Sequence, residues 1–104
     1  MTIQFNTDKN IHGNDAFTAQ HIAQIEDKLK HYSRHLTRIE VHLSDEDGSA
    51  KGKPAIRCLL EARMENRQPI IVTHQAETEG QAVNGSLDKM RASLETIVGR
   101  LGSH

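Results

Sequence analysis

At 104 residues, with 26% charged and 36% hydrophobic, the chain has room for one globular domain, residues 1–104, around one core. No apolar run approaches the roughly 20 residues of a membrane span, and a single cysteine, Cys58, excludes an intramolecular disulfide. A net charge of −1 does not select a partner, because phosphate binding depends on the cations that face it; with Phe5, Phe17 and Tyr32 as the only aromatics, an aromatic base-stacking platform is disfavoured.

Ile3 and Phe5 alternate with Gln4 and Asn6, a short first strand. "TDKNIHGND" reads as a loop, with Asn14 or Asp15 as cap of the following helix. From Phe17, the residues Ile22, Ile25, Leu29, Tyr32 and Leu36 recur at steps of three and four or close to it, the apolar stripe of one helix. Ile39, Val41 and Leu43 then alternate with Glu40, His42 and Ser44, a strand with one buried face. "SDEDGSAKGKP" is turn chemistry between strands.

A third strand places Ile56, Cys58, Leu60, Ala62 and Met64 on one face and Arg57, Leu59, Glu61, Arg63 and Glu65 on the other. "ENRQ" turns the chain, and "PIIVTHQA" is a fourth strand opening at Pro69. The last helix starts at about Glu79, with Val83, Leu87, Met90, Leu94, Ile97 and Leu101 at helical spacing and Gly102 as its stop. Gly85 and Gly99 each weaken it by about 1 kcal/mol relative to Ala.

The order is β-α-β-β-β-α, an α+β fold. The crossover helix makes the first two strands parallel neighbours, and short turns make the later ones antiparallel. The expected architecture is a four-stranded mixed sheet with two helices packed on one face; the other face, carrying Arg57, Glu61 and Arg63, is left to solvent.

Charge is segregated locally. Residues 28–38 hold Lys28, Lys30, Arg34 and Arg38 without an acid, and residues 40–50 hold Glu40, Asp45, Glu46 and Asp47 without Lys or Arg. On one continuous helix, Lys30, Arg34 and Arg38 fall at i, i+4 and i+8, opposite the apolar stripe, flanked by His31 and His35, with Lys28 nearer the buried edge. The plain reading is a solvated helix face. Against it, only Asp27 interrupts the stripe, and the last helix sets Lys89 and Arg100 on a common flank with Ser93 and Thr96 between them. Side by side, the two helices would form one cationic surface reading backbone shape rather than sequence.

His31 and His35 have a usable zinc spacing, but no HExxH pattern or acidic third ligand accompanies them, so no metal and no cofactor is expected and the seven histidines are read as surface side chains. Cys58 reads as core, and Asp45, Glu46 and Asp47 as a solubilising loop. With no phosphate loop, GxGxxG or nucleophile elbow, the chain is not read as an enzyme. The N-terminus lacks an export pattern, so a cytoplasmic protein is expected.

The element order, "IEDKLKHYSRHLTRIEVHL" with its K-L-x-x-Y centre, and "HQAETEGQAVNGSLDKM" together resemble the ribosome hibernation promoting factor family of ribosome-associated inhibitors. The second stretch resembles that family's A-I-D-x-x-x-D-K-L signature at Ala82, Val83, Asn84, Leu87, Asp88, Lys89 and Met90. Where many short members have a Lys-rich tail, this chain reads "VGRLGSH", and Gly80 stands where an aromatic residue is common. The resemblance implies a translation inhibitor of resting or stressed cells that binds the small ribosomal subunit, its 16S ribosomal RNA and its proteins, and blocks the decoding channel. It implies RNA contacts from Lys28, Lys30, Arg34, Arg38 and Lys89, to which the cationic-surface reading adds His31, His35 and Arg100. Two other readings stay open: a double-stranded-RNA-binding-like module, although "TEGQAVNGSL" lacks its lysine cluster, and a protein-interaction modulator using the bare sheet face.

Overall fold

The computed structural model describes residues 1–8, 11, 15–46 and 55–101. Its elements are β1 (Thr2–Thr7), α1 (Asp15–Leu29), a 3-10 helix (Lys30–His35), β2 (Arg38–Asp45), β3 (Ile56–Arg63), β4 (Ile70–Ala76) and α2 (Glu79–Leu101). The strands lie in the order β1-β2-β3-β4. β1 and β2 run parallel, with Ile3 beside Ile39 and Phe5 beside Val41. The other neighbours are antiparallel, with Val41 opposite Leu60 and Leu60 opposite Val72. This is the expected four-stranded mixed sheet with two helices. The cap at Asn14, the stop at Gly102 and most of the β2–β3 loop lie outside the described residues; Asp15 belongs to α1 itself, in its first turn.

Alternation decides the sheet faces. Ile39, Val41, Leu43, Cys58, Leu60 and Ala62 are buried against the helices, while Glu40, Glu61 and Arg63 project from the opposite side. Ile25, Leu29, Leu87, Met90 and Leu94 close the core from above and are fully buried. At about 1.5–3 kcal/mol per large side chain, this burial outweighs any surface ion pair, worth about 1 kcal/mol or less. Cys58 is core as expected: burial pushes its thiol up from the ordinary value, an effect the neighbouring Ser86 hydroxyl partly offsets.

Two readings of the first helix are corrected. Its buried line runs His21, Ile25, Leu29, steps of one turn, with Phe17 half-buried one turn before it; Ile22, off that line, is also only half-buried. His21 is therefore core rather than surface. Its ring stacks on Phe5 (5.8 Å between centroids) and meets Phe17 edge-on (4.6 Å), while Nδ1 lies 3.4 Å from Gln24 Oε1. A histidine presents an apolar ring body with polar corners, so one face packs while an edge keeps a partner.

The helix also does not run through to Leu36 as α-helix. After Leu29 it tightens to 3-10 pitch, and the Ser33 hydroxyl donates to the Lys30 carbonyl at 3.0 Å, competing with the α-helical bond that carbonyl would accept. α2 is started by Thr78, whose Oγ1 accepts the Gln81 N–H at 3.1 Å. Gly85 is needed there for packing: a Cβ would stand 2.1 Å from the His74 ring on β4.

Candidate nucleic-acid interface

The change of pitch after Leu29 redistributes the cations. In a 3-10 helix, residues i and i+3 eclipse, so His31 lines up with Arg34, Lys30 with Ser33, and buried Tyr32 with half-buried His35. Lys30, His31 and Arg34 are exposed. Lys30 Nζ lies 3.5 Å from Asp27 Oδ1 between two largely solvated side chains, a pair of little energetic consequence. The Arg34 side chain has no hydrogen bond or ion pair among the described residues. These cations keep their hydration until an anion replaces it.

The two helices run parallel, joined by a polar seam. Gln24 Nε2 donates to Asn84 Oδ1 (3.5 Å), Lys28 Nζ lies 3.7 Å from Asp88 Oδ1, and the Tyr32 hydroxyl donates to Glu95 Oε2. That bond to Glu95 pushes the Tyr32 phenol up from its ordinary value, with burial adding to it. Exposed Arg91 stands over a groove of about 320 Å³ with Tyr32, Asp88, Ala92 and Glu95. Sequence reasoning missed Arg91. The available signal was its place one turn after buried Leu87, at the stripe boundary that turns toward the neighbouring helix.

One candidate stands elsewhere than expected. Arg38 is on β2, not on the helix. The chain leaves helical geometry at Leu36, and Thr37 donates its backbone N–H to Arg63 O at 2.8 Å as β2 enters the sheet. Arg38 Nε lies 3.2 Å from Glu40 Oε2, close enough for an ion pair though not aligned for a hydrogen bond, and Nη2 donates to Gln4 Oε1. Glu40 also lies 3.5 Å from Arg63 Nη2 and 3.4 Å from His42 Nε2, and Arg63 Nε reaches Glu61 at 2.6 Å. The register sets Arg38 opposite Arg63 and Glu40 opposite Glu61, so this network pairs charges along the strands and diagonally.

Lys89 points away from the seam, and its Nζ donates to Thr73 O on β4 at 2.7 Å. Arg100, exposed in the last turn of α2, follows eleven residues later on that same flank. The Lys89 flank and the 3-10 cations thus lie on opposite sides of α2, separated by Asp88 and Glu95, and do not merge into one surface.

The cations do share an end of the molecule in part. The 3-10 helix, the start of β2, the end of β3 and the C-terminus of α2 lie together, where the carbonyl ends of both helices favour positive charge. Among the described residues, no group of three or more His, Cys, Asp or Glu side chains is placed to hold a metal ion, and no helix is long and apolar enough to cross a membrane.

A family model described as "Sigma 54 modulation protein / S30EA ribosomal protein" matches residues 6–101. A search of curated protein sequences returned no match. Among solved structures, the N-terminal domain of Protein Y from Thermus thermophilus is similar, with a TM-score of 0.73 at 14% identity, covering 93% of this chain and 99% of that one. A ribosomal subunit interface protein from Coxiella burnetii is similar at a TM-score of 0.71 and 13% identity, covering 95% of this chain and 99% of that one.

Proposed function

The chain belongs to the sigma 54 modulation protein / S30EA ribosomal protein family, and from that premise we propose that it is a cytoplasmic, ribosome-associated translation inhibitor that binds the small subunit and blocks its decoding channel. The observation that carries this reading is the 3-10 helix, where Lys30 and Arg34 stand exposed beside His31 with no strong partner. Phosphate oxygens are the complementary chemistry. The protein acts by occupancy: a rigid sheet holds the cationic end against ribosomal RNA, and no bond is made or broken.

Lys30, His31, Arg34 and His35 form the centre of the proposed contact, with Arg91 beside them. Lys28, Arg38, Lys89 and Arg100 belong to it more weakly. Lys28, Arg38 and Lys89 would first have to leave Asp88, Glu40 and the Thr73 carbonyl, and Arg100 stands on the far flank of α2. The double-stranded-RNA-binding alternative is less supported, since the first turn of α2 carries Glu79 and no lysine. The sheet-face alternative is less supported because Arg38, Glu40, Glu61 and Arg63 there already pair with one another.

Co-sedimentation with purified small subunits across a salt series tests this. Four or five phosphate contacts give a log–log slope of about −3 to −4, at roughly 0.7–0.9 per contact. Association that is absent, or indifferent to salt, overturns the reading.

A further inference from the structure

β4 is the last strand of the sheet, so one of its edges faces outward. Thr73 gives its carbonyl to Lys89 rather than to β3, which identifies Thr73 as an outward-pointing position. Outward positions alternate along an antiparallel strand, so Ile71, Thr73 and Gln75 all direct their N–H and C=O groups to that edge. Among the described residues, the Lys89 side chain is the one group that engages this backbone.

The strand itself is undefended. Ile70–Ala76 contains no Asp, Glu, Lys or Arg and no proline, and Ile71 is 56% exposed. Open strand edges invite pairing, and proteins usually protect them with charges or prolines on the edge. Here the protection comes from a different element, α2.

We propose that the free edge of β4 is a docking edge for β4 of a second copy of this chain, and that Lys89 holds it closed. A two-fold axis at Thr73, the middle residue of the strand, sets Thr73 opposite its own equivalent and Ile71 opposite Gln75. Three such pairs exchange about six backbone hydrogen bonds. No charge lies on the strand to face a like charge across the axis, and a central Thr–Thr pair is favourable. The strand is thus complementary to itself.

Lys89 opposes this pairing twice. It occupies the carbonyl at the centre of the ladder, and an axis perpendicular to the sheet would bring the two Lys89 side chains together. Pairing through one short strand falls below the roughly 1,200 Å² of a standard interface, so the dimer is a weak one even when the edge is open.

The test is sedimentation equilibrium in RNA-free buffer over a wide protein concentration range, which keeps its outcome separate from that of ribosome binding. Lys89→Ala should tighten self-association at least about tenfold relative to the parent chain, while Lys89→Arg, which keeps a charged donor, should stay at the parent level. Adding Thr73→Pro to Lys89→Ala should restore the monomer, since proline there removes only an outward N–H; a near-parent melting curve confirms the fold. Lys89→Ala that stays monomeric throughout, or a Lys89→Ala dimer that survives Thr73→Pro, overturns the proposal. So does a Lys89→Ala protein that captures an unrelated strand-forming peptide without pairing with itself.

Discussion

Arg34 and Arg38 are four residues apart, carry the same charge and lie near the same end of the molecule, yet the fold treats them oppositely. Arg34 stands on the 3-10 helix with no partner among the described residues. Arg38 opens β2 beside Glu40 and Gln4, in a network that reaches Arg63, Glu61 and His42. A cation already paired must lose one anion to gain another, so its net contribution to phosphate binding is small; a hydrated one need only exchange solvent and counterions. Position in the fold therefore decides which charges are available, and a count along the chain does not.

The largest expected effect falls on the exposed cations of the 3-10 helix. Lys30→Glu with Arg34→Glu should weaken small-subunit association at least about tenfold and flatten the salt slope by about 1.5. Melting should barely change, within about 0.5 kcal/mol per exposed substitution. Unchanged co-sedimentation of this pair would remove the contrast with Arg38 altogether.

A smaller effect, of opposite kind, is expected at the paired cation. Arg38→Gln should leave association within about twofold of the parent while costing about 1 kcal/mol in chemical denaturation, because Glu40 loses one of its partners. An association loss as large as that of the double variant would place the RNA contact at the start of β2 instead.

The smallest effect concerns the seam that holds the 3-10 helix to α2. Tyr32→Phe removes the bond to Glu95 and should cost about 1 kcal/mol or less at neutral pH. Since the folded phenol is raised above its unfolded value of 10.0, its stabilising effect is fully present below that pH and is lost as pH rises above it. Alkaline denaturation of the parent should therefore show a slope that Tyr32→Phe lacks. Identical alkaline limbs would mean the seam does not fasten the cationic helix.

Much of this architecture is legible in the sequence. Period-two alternation in β2 and β3 marked Ile39, Val41, Leu43, Cys58, Leu60 and Ala62 as one buried face, as they are. The stripe from Val83 through Leu94 likewise fixed the buried side of α2. Of the site, Lys30, His31 and Arg34 were recognised as solvent-facing, because exposure opposite an apolar stripe is a local property of a helix. Arg91, exposed at the edge of the α2 stripe, gains its place in the site only from the groove it shares with Tyr32 of the neighbouring 3-10 helix, which periodicity does not record.

Sequence by itself determined the order of the elements, their buried faces and the local segregation of charge, since each follows from residues a few positions apart. Tertiary structure alone decided that His21 packs between Phe5 and Phe17, that Lys28 meets Asp88, and that Lys89 lies on the Thr73 carbonyl. It also decided that Arg38 belongs to the sheet, where β3 receives the chain through Thr37. These partners are distant along the chain, and periodicity has no term for them: it records which side of an element faces inward, not which element it will meet.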